Sequence, residues 1–129
     1  MMYPEDRYYT KSHEWIKVEG NHAMVGVTYY AQEQLVEVVF VELPEPGMEV
    51  KAGDGIAVLE SVKAVSDIYA PVSGTILEVN KKLEDQPELI NKDPYGEGWI
   101  FSLEIIQKEE IDKLIRATEY QSLIENEPK

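Results

Sequence analysis

Apolar and polar residues alternate over short distances along most of this chain, which is the signature of strands rather than long helices. Glu14 to Val18 and Ala23 to Val27 read as two strands joined by the turn signal Gly20-Asn21, a first hairpin. The β-branched pattern then lapses, and Thr28 offers an N-cap for a short helix running through Ala31 to Leu35. Strand character returns from Val36 to Leu43 and is stopped by Pro44-Glu45-Pro46-Gly47. From Met48 onward short apolar segments alternate with turns at Gly53-Asp54-Gly55, Ser73-Gly74 and Asn80 to Asp85. Near the end, Ile111, Leu114, Ile115 and Thr118 fall at helical spacing, with Glu109 and Glu110 at the positive N-terminal end. Thr118-Glu119-Tyr120-Gln121 has the form of a capping box opening a second helix with Leu123 and Ile124, and residues 126–129 are expected to fray. The whole pattern predicts a small β-sandwich or partly closed barrel with a helical tail, one domain over residues 1–129 with its core in 9–125.

Composition narrows what such a domain can do. The net charge is -13, from 12 basic against 25 acidic residues, and such a surface repels nucleic-acid phosphates and anionic lipid. The acidity is equally consistent with steering toward basic patches on partner proteins and with simple solubility. There are no cysteines, so the side chains supply neither a disulfide nor a thiolate nucleophile, and any sulfur redox chemistry must come from an attached group. The charged opening residues and an apolar run no longer than Val38 to Val41 predict neither a secretory signal nor a membrane span, so a cytoplasmic protein is expected.

Conventional active sites are hard to assemble from these residues. His13 and His22 lack metal-ligand spacing and read as surface or structural histidines, so no metal is expected. Neither a phosphate loop nor a nucleophile elbow is present. One segment stands apart: an apolar strand Ile56 to Leu59, a polar interruption around Lys63, and a second strand Val65 to Tyr69 ending at the Pro71 to Gly74 turn. This places Lys63 at a hairpin tip, although Val62-Lys63 lacks the Asn-Gly or Gly residues of a tight hairpin. On pattern alone Lys63 is indistinguishable from an ordinary exposed lysine.

The blocks Tyr9 to Trp15, Tyr30 to Leu35, Val38 to Gly47, Glu60 to Gly74 and Pro87 to Trp99, taken in this order, resemble the glycine cleavage H proteins. The resemblance implies a mainly β, barrel-sandwich hybrid fold of the lipoyl/biotinyl-carrier type, with a short helix in the N-terminal half and helices at the C-terminus. It implies a non-catalytic carrier with lipoic acid in amide linkage to Lys63, within an attachment hairpin that includes Glu60, Ser61, Val62 and Ala64. The arm would accept the aminomethyl group of glycine at the P protein (glycine decarboxylase), deliver it to the T protein (aminomethyltransferase), and be reoxidised by the L protein (dihydrolipoamide dehydrogenase). A lipoate-attaching enzyme is a fourth implied partner, and a monomer is expected. Positions matching the family's cleft for the loaded arm are Ser12, Glu14 and Asp67.

The flanking residues Val62 and Ala64 differ from the methionines typical beside a biotinyl lysine, and no Ala/Pro-rich tether of the kind found in 2-oxo acid dehydrogenases is present. Two positions depart from the family pattern: Tyr29 stands where an acidic residue is usual, and Val36 where glycine usually follows the helix. Because a β-branched residue disfavours the left-handed backbone, Val36 predicts a different helix end. The alternatives are a divergent H-like carrier serving another lipoyl pathway and an unmodified acidic interaction module.

Overall fold

A computed structural model describes residues 2–126. Two sheets face each other across one apolar core. The larger is built from β1 (Tyr8–Tyr9), β2 (Glu14–Glu19), β3 (His22–Val27), β5 (Glu49–Val50), β8 (Gly74–Val79) and β9 (Phe101–Ile105), in the order β1-β2-β3-β9-β8-β5. The smaller has β6 (Gly55–Ser61) between β4 (Val38–Glu42) and β7 (Val65–Tyr69). All the pairings are antiparallel. The mainly β, lipoyl-domain type of fold that the resemblance implies is the one observed.

Alternation along the strands selects the core. Ile16, Val25, Val27, Phe101 and Leu103 of the larger sheet and Val41, Leu59 and Ile68 of the smaller are buried together. Each such side chain, when fully buried, contributes about 1.5–3 kcal/mol by leaving water. A second cluster joins Tyr9, Trp15, Ala117 and Tyr120, and there the indole N–H of Trp15 donates to the carbonyl of Pro94 at 2.9 Å. Gly26 lies beneath that indole, where a Cβ would come within 2.7 Å of the ring. The close approach of strand to aromatic ring therefore requires glycine.

The short helix α1 (Tyr29–Leu35) starts as the sequence predicts, with the Thr28 hydroxyl accepting from the Ala31 N–H. Its end differs from a glycine cap, as Val36 predicts. Val36 has φ 71° and ψ -69°, a γ-turn and not the left-handed helical conformation of a glycine cap, and the Glu37 N–H closes this three-residue turn on the Leu35 carbonyl at 2.9 Å. Asn91 holds this turn from outside, its amide nitrogen donating to the Val36 carbonyl at 2.9 Å and its side-chain oxygen accepting from the Val38 N–H at 2.8 Å. Tertiary hydrogen bonds thus override the preference of the β-branched residue, at a cost of about 1–3 kcal/mol. Val36 is 59% exposed, so little burial is lost on truncation. The variant Val36→Gly is expected to raise unfolding free energy by about 1 kcal/mol, the relieved strain exceeding the entropy glycine adds to the unfolded chain. Urea denaturation checks this, and a lower midpoint would contradict it.

Elsewhere the structure corrects several local readings. The strand expected from Val36 begins at Val38, because the turn at Val36 and Glu37 intervenes. The Asn80 to Asp85 turn contains a single helical turn, α2 (Lys82–Asp85), and a similar one, α3 (Leu89–Lys92), follows. The tail is a 3-10 turn, Lys108–Lys113, and then α4 (Ala117–Glu125), rather than an α-helix spanning Ile111 to Thr118. Helix α4 starts one residue before Thr118, with Arg116 at the cap position and no side-chain capping bond, so the capping box does not form. Glu110 serves another purpose, its carboxylate accepting from the Ser73 N–H and hydroxyl at 2.6 and 3.0 Å. Of the residues expected to fray, Asn126 is the C-cap of α4, and residues 127–129 lie outside the described residues. Among the described residues no helix is long and apolar enough to cross a membrane, and no group of three or more His, Asp or Glu side chains is placed to hold a metal ion.

Candidate functional site

Strands β6 and β7 form the hairpin expected around Lys63, with Glu60 opposite Val65 and Leu59 opposite Ser66. Its loop, Val62-Lys63-Ala64, is exposed. None of these three residues has a positive φ, so the hairpin does not use the glycine-dependent turns whose absence the sequence shows. Ser61 supplies the turn chemistry instead. Its hydroxyl accepts from the N–H groups of Lys63 and Ala64 at 3.1 and 2.9 Å and donates to the Ala64 carbonyl at 3.0 Å, while the Ser61 N–H donates to the same carbonyl at 2.8 Å. Such a hydroxyl-braced turn was legible in principle, since serine favours this local bonding. The Val62 N–H donates to the Glu37 carbonyl at 3.1 Å, tying the loop to the end of α1.

On the inner side of the hairpin a groove of about 340 Å³ opens between α1 and β7. Its walls include Val27, Leu35, Leu59 and Ile68, with Ser12, Tyr30, Gln34 and Ser66 supplying polar atoms. His13 also lines it, held by a 2.7 Å hydrogen bond between Nδ1 and the Tyr120 hydroxyl and by ring contact with Tyr30. Tyr120 in turn bonds the Thr28 hydroxyl at 2.7 Å. The histidine has φ 74° and a structural role, while His22 sits exposed in β3.

The structure brings Ser12 and Glu14 together but leaves Asp67 apart. Glu14 is only 1% exposed. Its Oε1 accepts from the hydroxyls of Thr10 and Ser12 at 2.5 and 2.6 Å, and its Oε2 accepts from the Tyr69 N–H at 3.2 Å. The carboxylate thus braces the start of β2 against the open edge of β7, one layer below the exposed Ser12. Burial pushes its pKa above the ordinary glutamate value, an effect partly offset by the hydroxyl donors. Asp67 falls on the opposite face of β7 from Ser66 and Ile68, because side chains alternate along a strand. There it lines a hollow with Glu42, Pro44, Glu45 and Val58. Thr10, Tyr30 and Gln34 are parts of this region that lie in the blocks Tyr9 to Trp15 and Tyr30 to Leu35 but are not among the expected site residues. The fold brings Tyr30 and Gln34 to the groove and sets Thr10 on the Glu14 carboxylate.

The two facing antiparallel sheets, with an exposed hairpin between β6 and β7, define a small β domain of the lipoyl-domain type. The glycine cleavage H-protein family model matches residues 7–127. A glycine cleavage system H protein of Symbiobacterium thermophilum is 57% identical over 119 residues, covering 92% of this chain and 93% of the relative. One of Thermus thermophilus is 56% identical over 124 residues, covering 96% and 97%. The crystal structure of a glycine cleavage system H protein from Mycobacterium marinum superposes with a TM-score of 0.87 at 42% identity, covering 95% of this chain and 98% of that one. The chain belongs to the glycine cleavage H-protein family.

Proposed function

We infer that this protein is the lipoyl carrier of the glycine cleavage system, with lipoic acid in amide linkage to Lys63. The observation that carries the reading is the exposed Lys63 on a turn fixed by the Ser61 hydroxyl, beside a groove lined by both apolar and polar residues. Fit supports it: the lysine is open to an acylating enzyme, and a groove with partly exposed Tyr30, Ala31 and Ser66 and exposed Ser12 and Gln34 lies on the inner side of its hairpin. Held by Lys63, a lipoyl group would supply the sulfur chemistry this cysteine-free chain lacks, which suits carriage of the aminomethyl group of glycine between the P and T proteins, with the L protein as the reoxidising partner.

The chain's own residues do the rest. Ser61 presents Lys63 in one backbone geometry. Ser12, Tyr30, Gln34 and Ser66 offer hydrogen-bonding groups at the groove. Glu14 places negative charge directly under Ser12, in a setting where a cationic cargo gains from charge-assisted bonding. Asp67, on the other face of β7, takes no part in this groove. The acidic surface suits partners with basic docking faces.

Reconstitution tests the function. Lipoylated protein supplied with the P protein is expected to support glycine-dependent exchange of bicarbonate, and neither component alone should do so at a comparable rate. Lipoylated protein that fails to stimulate a competent P protein would contradict the assignment.

A further inference from the structure

The outer face of the three-stranded sheet has no use in the site just described. Register places Phe40, Glu60 and Val65 in one row immediately below the loop, and Glu42, Val58 and Asp67 in the next. Residues directly opposite one another share a face, so the six side chains form a two-row checkerboard of apolar and acidic groups. Phe40 is 52% exposed and Val65 67%, and Val62 of the loop extends the apolar part at 64%. Phe40 and Val65 stand in water on either side of Glu60, and so much exposed apolar surface interleaved with carboxylates next to the loop marks an interaction face.

We propose that this face is the seat of the enzyme that acylates Lys63, and that the matching surface of that enzyme is apolar with a basic rim. The inference rests on the assignment of Lys63 as the attachment site. Before acylation the reacting nitrogen lies no farther from the backbone than one lysine side chain. An enzyme that acts there must press against the hairpin tip and cover the row directly beneath it. Enzymes that act later meet the far end of a long arm and are free of that constraint. The deprotonated Lys63 amine attacks an activated lipoyl carbonyl, forms the amide, and expels the activating group, such as adenylate, with loss of one proton. Carboxylates at Glu42, Glu60 and Asp67 complement Lys and Arg on the enzyme, and the net charge of -13 favours the same encounter at long range.

The test uses the full-length unlipoylated protein and a lipoate-attaching enzyme charged with lipoyl adenylate. Steady-state transfer is compared for the parent, Phe40→Ser with Val65→Thr, and Glu42→Gln with Asp67→Asn, each checked for an unchanged melting transition. For the apolar pair KM is expected to rise about tenfold, the loss of one buried anchor, with kcat little changed. The acidic pair should lose most of the salt dependence of kcat/KM that the parent shows. Where a doubly substituted chain fails to fold, the single variants Val65→Thr and Asp67→Asn carry the comparison. Peptide mapping separates the two claims. If the parent is acylated at a lysine other than Lys63, the attachment assignment fails. If Lys63 is acylated and the folded variants match the parent in KM and salt dependence, the docking proposal is overturned. It is also overturned if pre-lipoylated variants lose as much in reoxidation by the L protein as in acylation, because the face would then serve arm-dependent partners generally.

Discussion

Lys63→Arg is expected to abolish lipoyl attachment completely while leaving the fold and its melting transition unchanged. Lys63 is exposed and its side chain has no hydrogen bond or ion pair among the described residues, so replacing it removes no packing. Exposed substitutions of this kind change stability by about 0.5 kcal/mol or less. Arginine keeps the positive charge but is never deprotonated at working pH, and so offers no nucleophilic amine. The turn bonds run through the backbone N–H of residue 63 and survive the change. Incubation of the variant with a lipoate-attaching enzyme, followed by mass spectrometry, should show no adduct. An adduct on another lysine would mean that the hairpin does not select the site.

The second large effect concerns Glu14, where two substitutions separate the brace from the charge. Glu14→Ala strands the Tyr69 N–H and the hydroxyls of Thr10 and Ser12 and leaves a void, so a loss of about 2–4 kcal/mol in unfolding free energy is expected. Glu14→Gln fits the same place: its carbonyl oxygen accepts from Tyr69, and its amide donates to hydroxyls that can turn to accept. That variant should fold almost as well as the parent. A carboxyl whose folded pKa is raised contributes stability that is fully present below its ordinary value and lost as pH rises through the folded value. The parent should therefore gain stability relative to Glu14→Gln on acidification toward about pH 4. The charge carries the functional consequence. Removing it should speed release of formaldehyde and ammonia from the loaded carrier several-fold or more, a loss of about 1–3 kcal/mol of charge-assisted bonding. Asp67→Asn, on the other face, should release like the parent. If Glu14→Gln loads normally and decays no faster, Glu14 is a brace and nothing more.

Much of this was legible in the residues themselves. Alternation is clear along β7 and the first half of β3, whereas Glu14, Trp15 and Ile16 of β2 are buried in succession because Trp15 and Ile16 pack into different clusters on its two faces; Thr28 caps α1 because its hydroxyl reaches the Ala31 N–H. The brief strands β1 and β5 are too short to carry a period. The tail misled because Ile111 and Leu114 have helical spacing but pack from a 3-10 turn against the main core. At Val36 local preference yielded to Asn91, a residue distant in sequence. The hairpin came from pattern, but its lysine was singled out by family resemblance. Ser12 and Glu14 prove to be neighbours through a hydroxyl-carboxylate bond, whereas the face taken by Asp67 depends on the register of β7 and is invisible without it.

The central claim is that Lys63 carries the lipoyl group in the cell, and intact-mass analysis with peptide mapping of protein isolated from its natural source tests it most directly. A single lipoyl adduct located on the peptide containing Lys63 is the predicted result. Protein found wholly unmodified in cells that lipoylate other proteins, or modified at a different lysine, would contradict it.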